Sequence, residues 1–508
     1  MNIWLDPTLL SQSLVDNPTD QCPKEDDWCP KDAYNVPLDK NIHTFSIPIE
    51  AEVQYLHIHT FVCTDTLHIQ RCSETLWFAC NPIGTGTVAV IDADLYMLLA
   101  CFRSPRTLQD VMSGPFKTPV RVAQAVAIFT RLGFLHDLDE PTSLFNQGQP
   151  QSLAAWLHIT NACNLHCDYC YVQKNSEHMT DDTSKRAVDA LIRSARSYRY
   201  QGIHLTYAGG EATLRFPQVI ATHDYALQQC QKFGLSLSAS MISNGAALPV
   251  RYINQLKQRQ ISLMISLDGV GEEHNQQRPF VNGQGSFTFI DRTITRLLEH
   301  GLTPYINVTV TQRNLAALPD LLAYILRRDL PFGLSYYRDN ECSTHLSDLQ
   351  FGNEQMIAGM RAVFAYIEEH LPARPLLSGL VDKARTSTPH RYTCGVGRNY
   401  LAIDQRGGVA KCHANITETV TTIDVDNPLR MIRENQRGVT AVAVEEKAGC
   451  RDCDWRYWCS GGCPLLTYRI KGRNDVKSPN CSIYKALFPE AVRLEALRLL
   501  KYTQPIVL

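Results

Sequence analysis

The chain has 508 residues and a formal net charge of −2, so its length predicts about three domains and its charge gives no electrostatic reason to expect a nucleic-acid partner. The mean hydropathy is −0.19 and no apolar run is long enough to span a bilayer, so we expect no membrane partner either. The N-terminus, MNIWLDPTLL, lacks the basic region and the long apolar core of a secretory signal, which predicts a cytoplasmic protein.

Eighteen cysteines is a high count for a cytoplasmic protein, where disulfides are rare. Clustered cysteines in such a protein indicate metal ligands or catalytic groups. Three of them stand in one short motif and seven in a C-terminal array. Most of the remaining eight are expected to be small buried apolar side chains. They are Cys22, Cys29, Cys63, Cys72, Cys80, Cys101, Cys230 and Cys342.

The first part of the chain is predicted to be an irregular segment followed by a small domain, and Cys22 and Cys29 are expected to be ordinary thiols because nothing nearby completes a metal site. Residues 1–45 are expected to be irregular, because prolines are scattered there among acidic and polar residues. Residues 46–150 predict a small α+β domain. Its strands are expected at Val53 to Val62 and Thr87 to Ile91, and its helices at 93–100, Leu108 to Met112 and Pro119 to Leu132.

This pattern in residues 46–150 resembles the winged-helix peptide-recognition domain that accompanies peptide-modifying enzymes. That domain pairs a β-edge with the leader segment of a precursor peptide, so the resemblance implies leader binding. A structural lid without a ligand is the alternative. A winged helix that binds DNA is disfavoured, because the segment has few clustered basic residues.

Residues 151–345 alternate strand and helix six times, which predicts an α/β fold with a parallel sheet and right-handed crossovers. The predicted strands are Leu153–Thr160, Ile203–Ala208, Leu235–Ser243, Ser262–Leu267, Tyr305–Thr311 and Phe332–Tyr337. In barrels of this kind the functional residues gather at the C-terminal ends of the strands.

Directly after the first of these strands comes a C-x3-C-x2-C motif, formed by Cys163, Cys167 and Cys170. Three thiolates are one ligand short of a tetrahedral zinc site or of a fully ligated iron–sulfur cluster. A zinc site completed by His166, or a buried cysteine cluster, are the alternatives to an iron–sulfur cluster with one open iron. With Tyr169 before the third cysteine and six βα units around it, the motif resembles the radical S-adenosylmethionine (SAM) family.

The resemblance implies a partial (β/α)6 barrel of TIM type and a [4Fe–4S] cluster whose open iron binds SAM. Electron transfer from the cluster then cleaves SAM to a 5′-deoxyadenosyl radical, while the protein positions and shields the reaction. The family's SAM contacts correspond here to Tyr169, Gly209, Gly210, Glu211, Ser243, Asn244, Ser266, Asp268, Arg278, Asn307 and Val308. Gly-Gly-Glu alone is often just a turn, and Arg278 is either a fork for the SAM carboxylate or a surface charge.

The C-terminal part holds the second cysteine array. Residues 346–390 are expected to be a helical bridge, and 391–487 carry seven cysteines whose order and spacing resemble the SPASM domain; a zinc-ribbon-like domain is the alternative. By that resemblance Cys394, Cys412 and Cys463 hold one auxiliary [4Fe–4S] cluster, and Cys450, Cys453, Cys459 and Cys481 hold another. The chain would then carry three clusters. Residues 488–508 are expected to be a C-terminal helix, from Pro489 to Lys501.

Together the resemblances imply a radical SAM/SPASM enzyme that modifies a ribosomally synthesised precursor peptide. Its expected partners are that peptide, with its leader segment, and an electron donor such as flavodoxin or ferredoxin. A C–C or thioether crosslink is the first expectation. Peptide epimerisation and sulfatase-maturase-like oxidation are the alternatives, and an inactive scaffold that binds a precursor peptide is the alternative outside enzymology.

Two further residues are candidates for catalysis. Sulfatase-maturing enzymes usually have an aspartate base just after the second SPASM cysteine, whereas this chain has His413, which also accepts protons near neutral pH. Cys342 follows the sixth strand and should emerge on the catalytic face. It is expected to complete the first auxiliary cluster or to donate a hydrogen atom to a peptide radical; a buried loop cysteine is the alternative.

Overall fold

The computed structural model of the chain describes residues 1–6, 59–116, 118–139, 151–386 and 389–508. Most of the segment predicted to be irregular lies outside the described residues. So do Cys22, Cys29 and the first half of the strand predicted at Val53 to Val62.

The N-terminal part combines short antiparallel strands with three helices. Its elements are β1 (Asn2–Trp4), β2 (Thr60–Cys63), β3 (His68–Arg71), β4 (Leu76–Cys80), β5 (Val88–Asp92), α1 (Ala93–Cys101), β6 (Arg106–Thr107), α2 (Leu108–Met112), α3 (Pro119–Arg131) and β7 (Leu135–Asp137). The three predicted helices are confirmed. Helix α1 begins where Asp92 accepts a hydrogen bond from the Leu95 amide at 3.0 Å, and α3 begins with a proline whose φ suits a helix start.

Strand β1 corrects the prediction that the N-terminus is irregular. Ile3 is fully buried, and β1 pairs antiparallel with β5 on one side and with Ile506–Val507 on the other. Both partners are far away along the chain. The prediction failed because three residues are too few to show a strand period, so only the distant pairing reveals the strand.

The central part is a curved parallel sheet with its helices on the outside. Its elements are β8 (Ser152–Thr160), α4 (Asp181–Ser197), β9 (Gly202–Gly209), α5 (Phe216–Lys232), β10 (Ser236–Ser243), α6 (Val250–Gln258), β11 (Ile261–Ser266), α7 (Glu272–Gln277), α8 (Phe287–Glu299), β12 (Tyr305–Val310), α9 (Leu318–Arg327) and β13 (Phe332–Tyr336). The six predicted strands are confirmed within one residue at each end. They lie side by side in chain order, and every neighbouring pair is parallel.

The two faces of this sheet differ in polarity. On β8 the side chains of Leu153, Ala155 and Leu157 belong to the main apolar core, which also contains the buried faces of the surrounding helices. Trp156 and His158 alternate with them and therefore face the barrel interior. The interior thus carries polar and aromatic groups, and the apolar core lies between sheet and helices.

The C-terminal part extends this sheet at its open edge. Its elements are α10 (Asn353–Glu369), α11 (Leu377–Leu380), β14 (Tyr400–Ile403), β15 (Gly408–Ala410), β16 (Thr419–Thr422), α12 (Pro428–Glu434), α13 (Arg456–Cys459), α14 (Pro464–Lys471), α15 (Cys481–Tyr502) and β17 (Ile506–Val507). Strand β14 pairs in parallel with β8, and β15 and β16 continue the sheet. The cysteine-rich region is therefore bonded directly to the strand that precedes the C-x3-C-x2-C motif.

Helix α15 begins earlier than the sequence predicts. It starts at Cys481 and continues through Pro489, where the sequence predicted its first residue. A proline inside a helix removes one hydrogen bond. The helix nonetheless continues, because Leu487 and Phe488 are fully buried in the main core.

The N-terminal part packs against the rest of the chain. Phe78, Val88 and Val90 lie in the same apolar core as the barrel strands. Arg498 of α15 is buried, and its guanidinium lies 2.6 Å from the carboxylate of Asp6. Among the described residues, no helix is both long and apolar enough to cross a membrane.

Candidate metal centres and active site

The loop after β8, which we call the cysteine loop (residues 161–172), brings three thiols together. Burial raises the pKa of Cys167 to about 12; the Arg278 guanidinium opposes this rise, and the charges of Cys170 and Cys163 add to it. The three thiols are therefore close enough for each negative charge to raise the pKa of the others. Such grouping is typical of metal sites, because a bound metal ion displaces the thiol protons.

The spacing of the thiols argues against a single zinc ion. Around zinc, with Zn–S bonds of about 2.3 Å, tetrahedral ligand sulfurs lie within roughly 4 Å of one another. Among the described residues, the one group of three potential ligands whose atoms all lie within 4.8 Å is His59, Asp137 and Asp139, and no cysteine group is that tight. The side chain of His166 is exposed. The cysteine loop therefore suits a larger, multi-iron group better than the zinc alternative.

A buried polar cluster fixes the cysteine loop to the ends of two other strands. The Tyr169 hydroxyl donates to the Asp268 carboxylate, and the Arg278 guanidinium donates to the same hydroxyl. Asp268 is fully buried; the Thr309 amide donates to its second oxygen at 2.7 Å. Burial raises the pKa of Asp268, whereas the Arg278 charge and the hydrogen bonds from Tyr169 and Thr309 lower it. Arg278 is itself buried, so its alternative as a surface charge is wrong.

The two glycines after β9 dock the cysteine loop by close backbone contact. Gly209 has a φ of +142°, and the backbone amide of the next residue, Gly210, donates a hydrogen bond to the Thr160 carbonyl at 2.7 Å. A Cβ on Gly210 would lie 2.3 Å from the Ala162 carbonyl oxygen, so no larger residue fits there. The Gly-Gly pair is therefore more than a turn, because it sets the start of the cysteine loop.

Glu211 joins the ends of β9 and β10. Its Oε1 accepts hydrogen bonds from Thr213 and from the Ser243 hydroxyl at 2.9 Å, and its Oε2 accepts from the Asn244 amide at 2.7 Å. The Asn244 side chain in turn donates to Asn164 of the cysteine loop at 2.8 Å. With one donor, Oε2 keeps a lone pair for an ammonium group.

The three remaining predicted SAM contacts lie on β11 and β12. Ser266 pairs with Asn307 across these strands, and the Asn307 side-chain oxygen accepts from the Ser335 hydroxyl at 3.2 Å. Val308 is fully buried in the main apolar core, on the opposite face from Asn307. The strand's alternation turns the Val308 side chain toward the helices, so a contact of Val308 with SAM, which stays a prediction, would have to come from its backbone.

Several polar atoms around the cysteine loop are buried without a hydrogen-bond partner among the described residues. They are the Nε of Arg278, the Nδ1 of His158 and the Nε1 of Trp156. Buried polar groups normally have partners, so these atoms are suited to a polar ligand. The set fits a charged cofactor beside the three thiols. Trp156 and His158 were not among the predicted site residues, although their alternation with apolar residues on β8 marks them as interior.

His413 lies against the barrel interior but is a poor base. Its ring stacks on Trp156 with ring centres 4.4 Å apart, and its Nδ1 lies 2.8 Å from the Tyr400 hydroxyl. Burial lowers the pKa of His413 to about 3, and the charges of Lys383 and Arg338 act in the same direction. The imidazole is therefore neutral at physiological pH and binds a proton only weakly, which disfavours the predicted role as a general base.

Tyr171, near the end of the cysteine loop, lies within reach of the charges of thiols in that loop and in the C-terminal array. Burial raises its pKa, and the charges of Cys170 and Cys412 both add to the rise. Its ring centre lies 6.2 Å from that of His413. Tyr171 directly follows the cysteine motif, yet nothing in the sequence pairs it with a residue more than 240 positions away.

The seven C-terminal cysteines fall into the two sets that the resemblance implied. In the first set (Cys394, Cys412 and Cys463), burial raises the pKa of Cys412 to about 12, and the other two thiols add to the rise. Arg338 and Lys383 outweigh burial at Cys463 and hold its pKa below the ordinary value.

In the second set (Cys450, Cys453, Cys459 and Cys481), all four cysteines line one small cavity. Burial raises the pKa of Cys459 to about 12, and the other three thiols of the set raise it further. A cavity walled by four thiols fits a cluster with four cysteine ligands.

Cys342 lies beside the cysteine loop. Its Sγ is 3.8 Å from the Tyr171 carbonyl oxygen, and the neighbouring Asn340 side chain donates to the Tyr169 carbonyl at 3.1 Å. Burial raises the pKa of the Cys342 thiol, and the charge of Cys170 acts in the same direction. The thiol is half-buried and keeps its proton at neutral pH.

Comparison with known proteins agrees with this geometry. Residues 157–323 match the family described as the radical SAM superfamily. This stretch is a radical SAM domain. The three thiols of the cysteine loop, the Gly-Gly-Glu turn, Asp268 and Arg278 all lie inside it. A radical SAM domain binds SAM and one [4Fe–4S] cluster, and the donor set described above fits both.

Similarity to individual relatives is weak. The chain is 28% identical to an uncharacterized protein of Methanocaldococcus jannaschii over 34% of its own length, and it spans 57% of that relative's length. It is 20% identical to the cysteine-type anaerobic sulfatase-maturating enzyme of Clostridium perfringens, over 65% of this chain and 94% of that one.

A solved structure agrees with the fold. Native anSMEcpe with bound AdoMet and Cp18Cys peptide has a TM-score of 0.54 to this chain at 16% identity, covering 68% of this chain and 99% of the other. At that level of identity the match shows the fold. The chain thus shares the fold of this structure, and it is similar in sequence to a sulfatase-maturating enzyme over about two thirds of its length.

Replacing Gly210 tests whether close backbone contact sets the cysteine loop. Gly210→Ala should displace the loop and slow SAM cleavage about 100-fold, because an ångström of misplacement at a reacting centre costs that much. SAM cleavage without peptide is measured as 5′-deoxyadenosine by chromatography, with the cluster monitored by electron paramagnetic resonance (EPR). Gly352→Ala is the control, because nothing lies within 4 Å of a Cβ there. Equal activity of the two variants would contradict the docking role.

Proposed function

We propose that this chain reductively cleaves SAM to a 5′-deoxyadenosyl radical and modifies a ribosomally synthesised precursor peptide by hydrogen abstraction. The observation that carries the proposal is the grouping of three thiols, Arg278 and the Glu211 carboxylate where the parallel strands end. The [4Fe–4S] cluster would supply the electron for SAM cleavage. The likeness to a fold solved with AdoMet and a peptide supports a peptide substrate.

In this proposal the chain's own residues bind and orient SAM. Cys163, Cys167 and Cys170 hold the cluster. The free Nε of Arg278 donates to the SAM carboxylate, and the lone pair on Oε2 of Glu211 accepts from its ammonium group. The buried Asp268 carboxylate holds the Arg278 and Tyr169 side chains in place, so that the guanidinium is aimed before the cofactor arrives.

The two C-terminal cysteine sets hold two auxiliary [4Fe–4S] clusters, which gives three clusters per chain. The second set supplies four thiols and closes its cluster. The first set supplies three, which leaves one iron of that cluster for substrate or for a further ligand. Tyr171 and His413 fill the space between the SAM cluster and the first set. An electron donor such as flavodoxin or ferredoxin would reduce the enzyme.

The product is proposed to be a C–C or thioether crosslink. The deoxyadenosyl radical would take one hydrogen atom from a C–H bond of the peptide, and the new bond would form as a second hydrogen leaves as a proton to solvent and the auxiliary clusters take the remaining electron. Sulfatase-maturase-like oxidation is a weaker candidate, because a histidine, His413, stands in the place of the family's aspartate base, and burial lowers its pKa to about 3, so it binds a proton weakly. Epimerisation is the second candidate. It needs a protonated thiol near the SAM site, and Cys342 beside Tyr171 is such a thiol.

The leader of the peptide is proposed to add a strand to the N-terminal part of the chain. In the sheet order β17-β1-β5-β4-β3, the chain's own β1 covers the β5 edge. Strand β3 is the last strand at the other end, and Ile69, Gln70 and Arg71 on it are exposed. An added strand would therefore pair with β3.

The first test counts the clusters. Anaerobically reconstituted protein should hold about twelve irons per chain, since each [4Fe–4S] cluster contributes four. Changing Cys163, Cys167 and Cys170 together to Ala should remove about four irons and all SAM cleavage, while the EPR signals of the auxiliary clusters remain. Production of 5′-deoxyadenosine by this triple variant would refute the assignment of the active cluster.

The second test identifies the reaction. The enzyme is co-expressed with a small peptide from its gene neighbourhood that has a leader and a repetitive core, and the peptide is weighed by mass spectrometry. Loss of two hydrogens indicates a crosslink, whereas deuterium uptake from heavy water without another mass change indicates epimerisation. For epimerisation, Cys342→Ala should still cleave SAM but yield no product, and Cys101→Ala should be unaffected. A crosslink that survives in Cys342→Ala would exclude the hydrogen-donor role, and an unmodified peptide would refute peptide modification.

The third test concerns the leader. A charge on an edge strand opposes pairing with another strand. Ile69→Asp should therefore weaken binding of a fluorescent precursor peptide about tenfold or more, measured by anisotropy, with SAM cleavage in the absence of peptide unchanged. Met431→Asp changes an exposed apolar residue on α12 and serves as the control. Unchanged affinity in Ile69→Asp would place leader binding elsewhere.

A further inference from the structure

Lys447 is a lysine buried in the cysteine-rich region. Only 3% of its surface is exposed, although lysine is almost never fully buried without a partner. It lies just before Cys450 in the chain, and its backbone carbonyl accepts from the Cys450 amide at 3.0 Å. Its ammonium group donates to the Ser460 carbonyl at 2.7 Å.

The Ser460 carbonyl belongs to the short segment that joins the two cysteine sets. This segment, residues 459–463, begins with a cysteine of the second set and ends with one of the first. The Thr393 hydroxyl, next to Cys394 of the first set, contacts the carbonyls of Cys459, Ser460 and Gly462 at 2.8 to 3.1 Å. The ammonium group is thus held against the junction of the two sets.

The chain makes room for the lysine side chain. Gly461 has a φ of +79°, and a Cβ there would lie 2.7 Å from Cδ and 2.9 Å from Nζ of Lys447. Ser460 is fully buried in a left-handed conformation, with a φ of 45°. A left-handed serine next to a left-handed glycine is backbone strain, and strain of this kind persists where the surrounding structure requires it.

The electrostatic environment of Lys447 includes thiols from both sets. Burial lowers the pKa of its ammonium group, while the charges of Cys450 and Cys459 of the second set, and of Cys394 and Cys463 of the first, oppose that shift. Other cations near the sets act on one set each. Lys485 and Lys477 act on thiols of the second set, and Lys383 and Arg338 act on thiols of the first.

We propose that Lys447 is a positioning residue whose single buried ammonium group, shared by the two auxiliary clusters, raises the reduction potentials of both. This inference rests on the proposed function, because it requires both auxiliary clusters. Reduction adds one electron to each cluster, and a buried cation nearby stabilises the more negative, reduced form. Because the ammonium group is excluded from solvent, salt screens it little. A shared cation makes both clusters better acceptors for the electron that a substrate radical gives up.

The test compares variants at this position in the reconstituted enzyme. In Lys447→Gln and Lys447→Met, the midpoint potentials of both auxiliary clusters should become more negative. Lys447→Arg should keep them near the wild-type values, because it keeps the charge. Midpoints are measured by EPR during stepwise reduction with dithionite, together with the iron content. The midpoint of the SAM cluster should not move in any variant.

Two control variants, each at a lysine near only one cysteine set, test whether the effect is specific to Lys447. Lys485→Gln should shift at most the second auxiliary cluster, and Lys383→Gln at most the first, each less than Lys447→Gln because these side chains are exposed.

Four results would overturn the proposal: an unchanged auxiliary midpoint in the neutral variants, an equal shift in Lys447→Arg, a shift of both clusters in either control, or loss of an auxiliary cluster from the neutral variants. Loss of a cluster would show that Lys447 holds residues 459–463 in place rather than raising the reduction potentials of the auxiliary clusters. Failure of the proposed function looks different, because wild-type protein would then bind only about four irons and show no auxiliary signals.

Discussion

The hydrogen-bonded cluster of Tyr169, Asp268 and Arg278 is the interaction on which the active site depends. Asp268 is fully buried, and its two oxygens accept hydrogen bonds from the Tyr169 hydroxyl and the Thr309 amide. The cluster therefore ties the cysteine loop to the ends of β11 and β12. Removing one partner of a buried ion pair costs about 3–5 kcal/mol, so the loop is held strongly in one place. A site that binds an iron–sulfur cluster and SAM needs a loop that is already held in position.

A second constraint is the pairing of β14 with β8. The strand before the cysteine loop is bonded on one side to the barrel and on the other to the cysteine-rich region. This places Cys412 and His413, which follow β15, near the barrel interior. Tyr171 of the cysteine loop consequently feels the charges of thiols from both regions. The barrel and the cysteine-rich region share one sheet, so the position of Cys412 relative to the cysteine loop is set by backbone hydrogen bonds rather than by a flexible linker.

The charges around the C-terminal cysteines follow a pattern. Arg338 and Lys383 act on the first set, Lys485 acts on the second, and the buried Lys447 acts on both. Grouped thiolates are anionic, and nearby cations stabilise them most where burial excludes water, as at Lys447. Positive residues are concentrated at these sites although the chain as a whole has a net charge of −2. Local arrangement, and not the overall balance of charge, thus decides the electrostatics of the metal sites.

The sequence by itself was sufficient for the barrel strands, whereas the division of the C-terminal cysteines into two sets is what a family resemblance implied. Apolar runs spaced by helical segments locate β8 to β13, and the C-x3-C-x2-C motif stands at a fixed distance from β8, because both depend on local spacing. Long-range contacts were invisible to such reasoning. The pairing of β1 with β5 and β17, the burial of Arg278 and the orientation of Val308 depend on partners distant in the chain.

The tertiary structure also decided the character of individual groups. A histidine is a plausible base from its sequence position alone, but burial, together with the charges of Lys383 and Arg338, lowers the pKa of His413 to about 3. In the same way, Lys447 is one lysine among many in the sequence. Only the folding of residues 459–463 around it places its charge between two sets of thiols, because electrostatic effects depend on distance and burial, which local sequence does not specify.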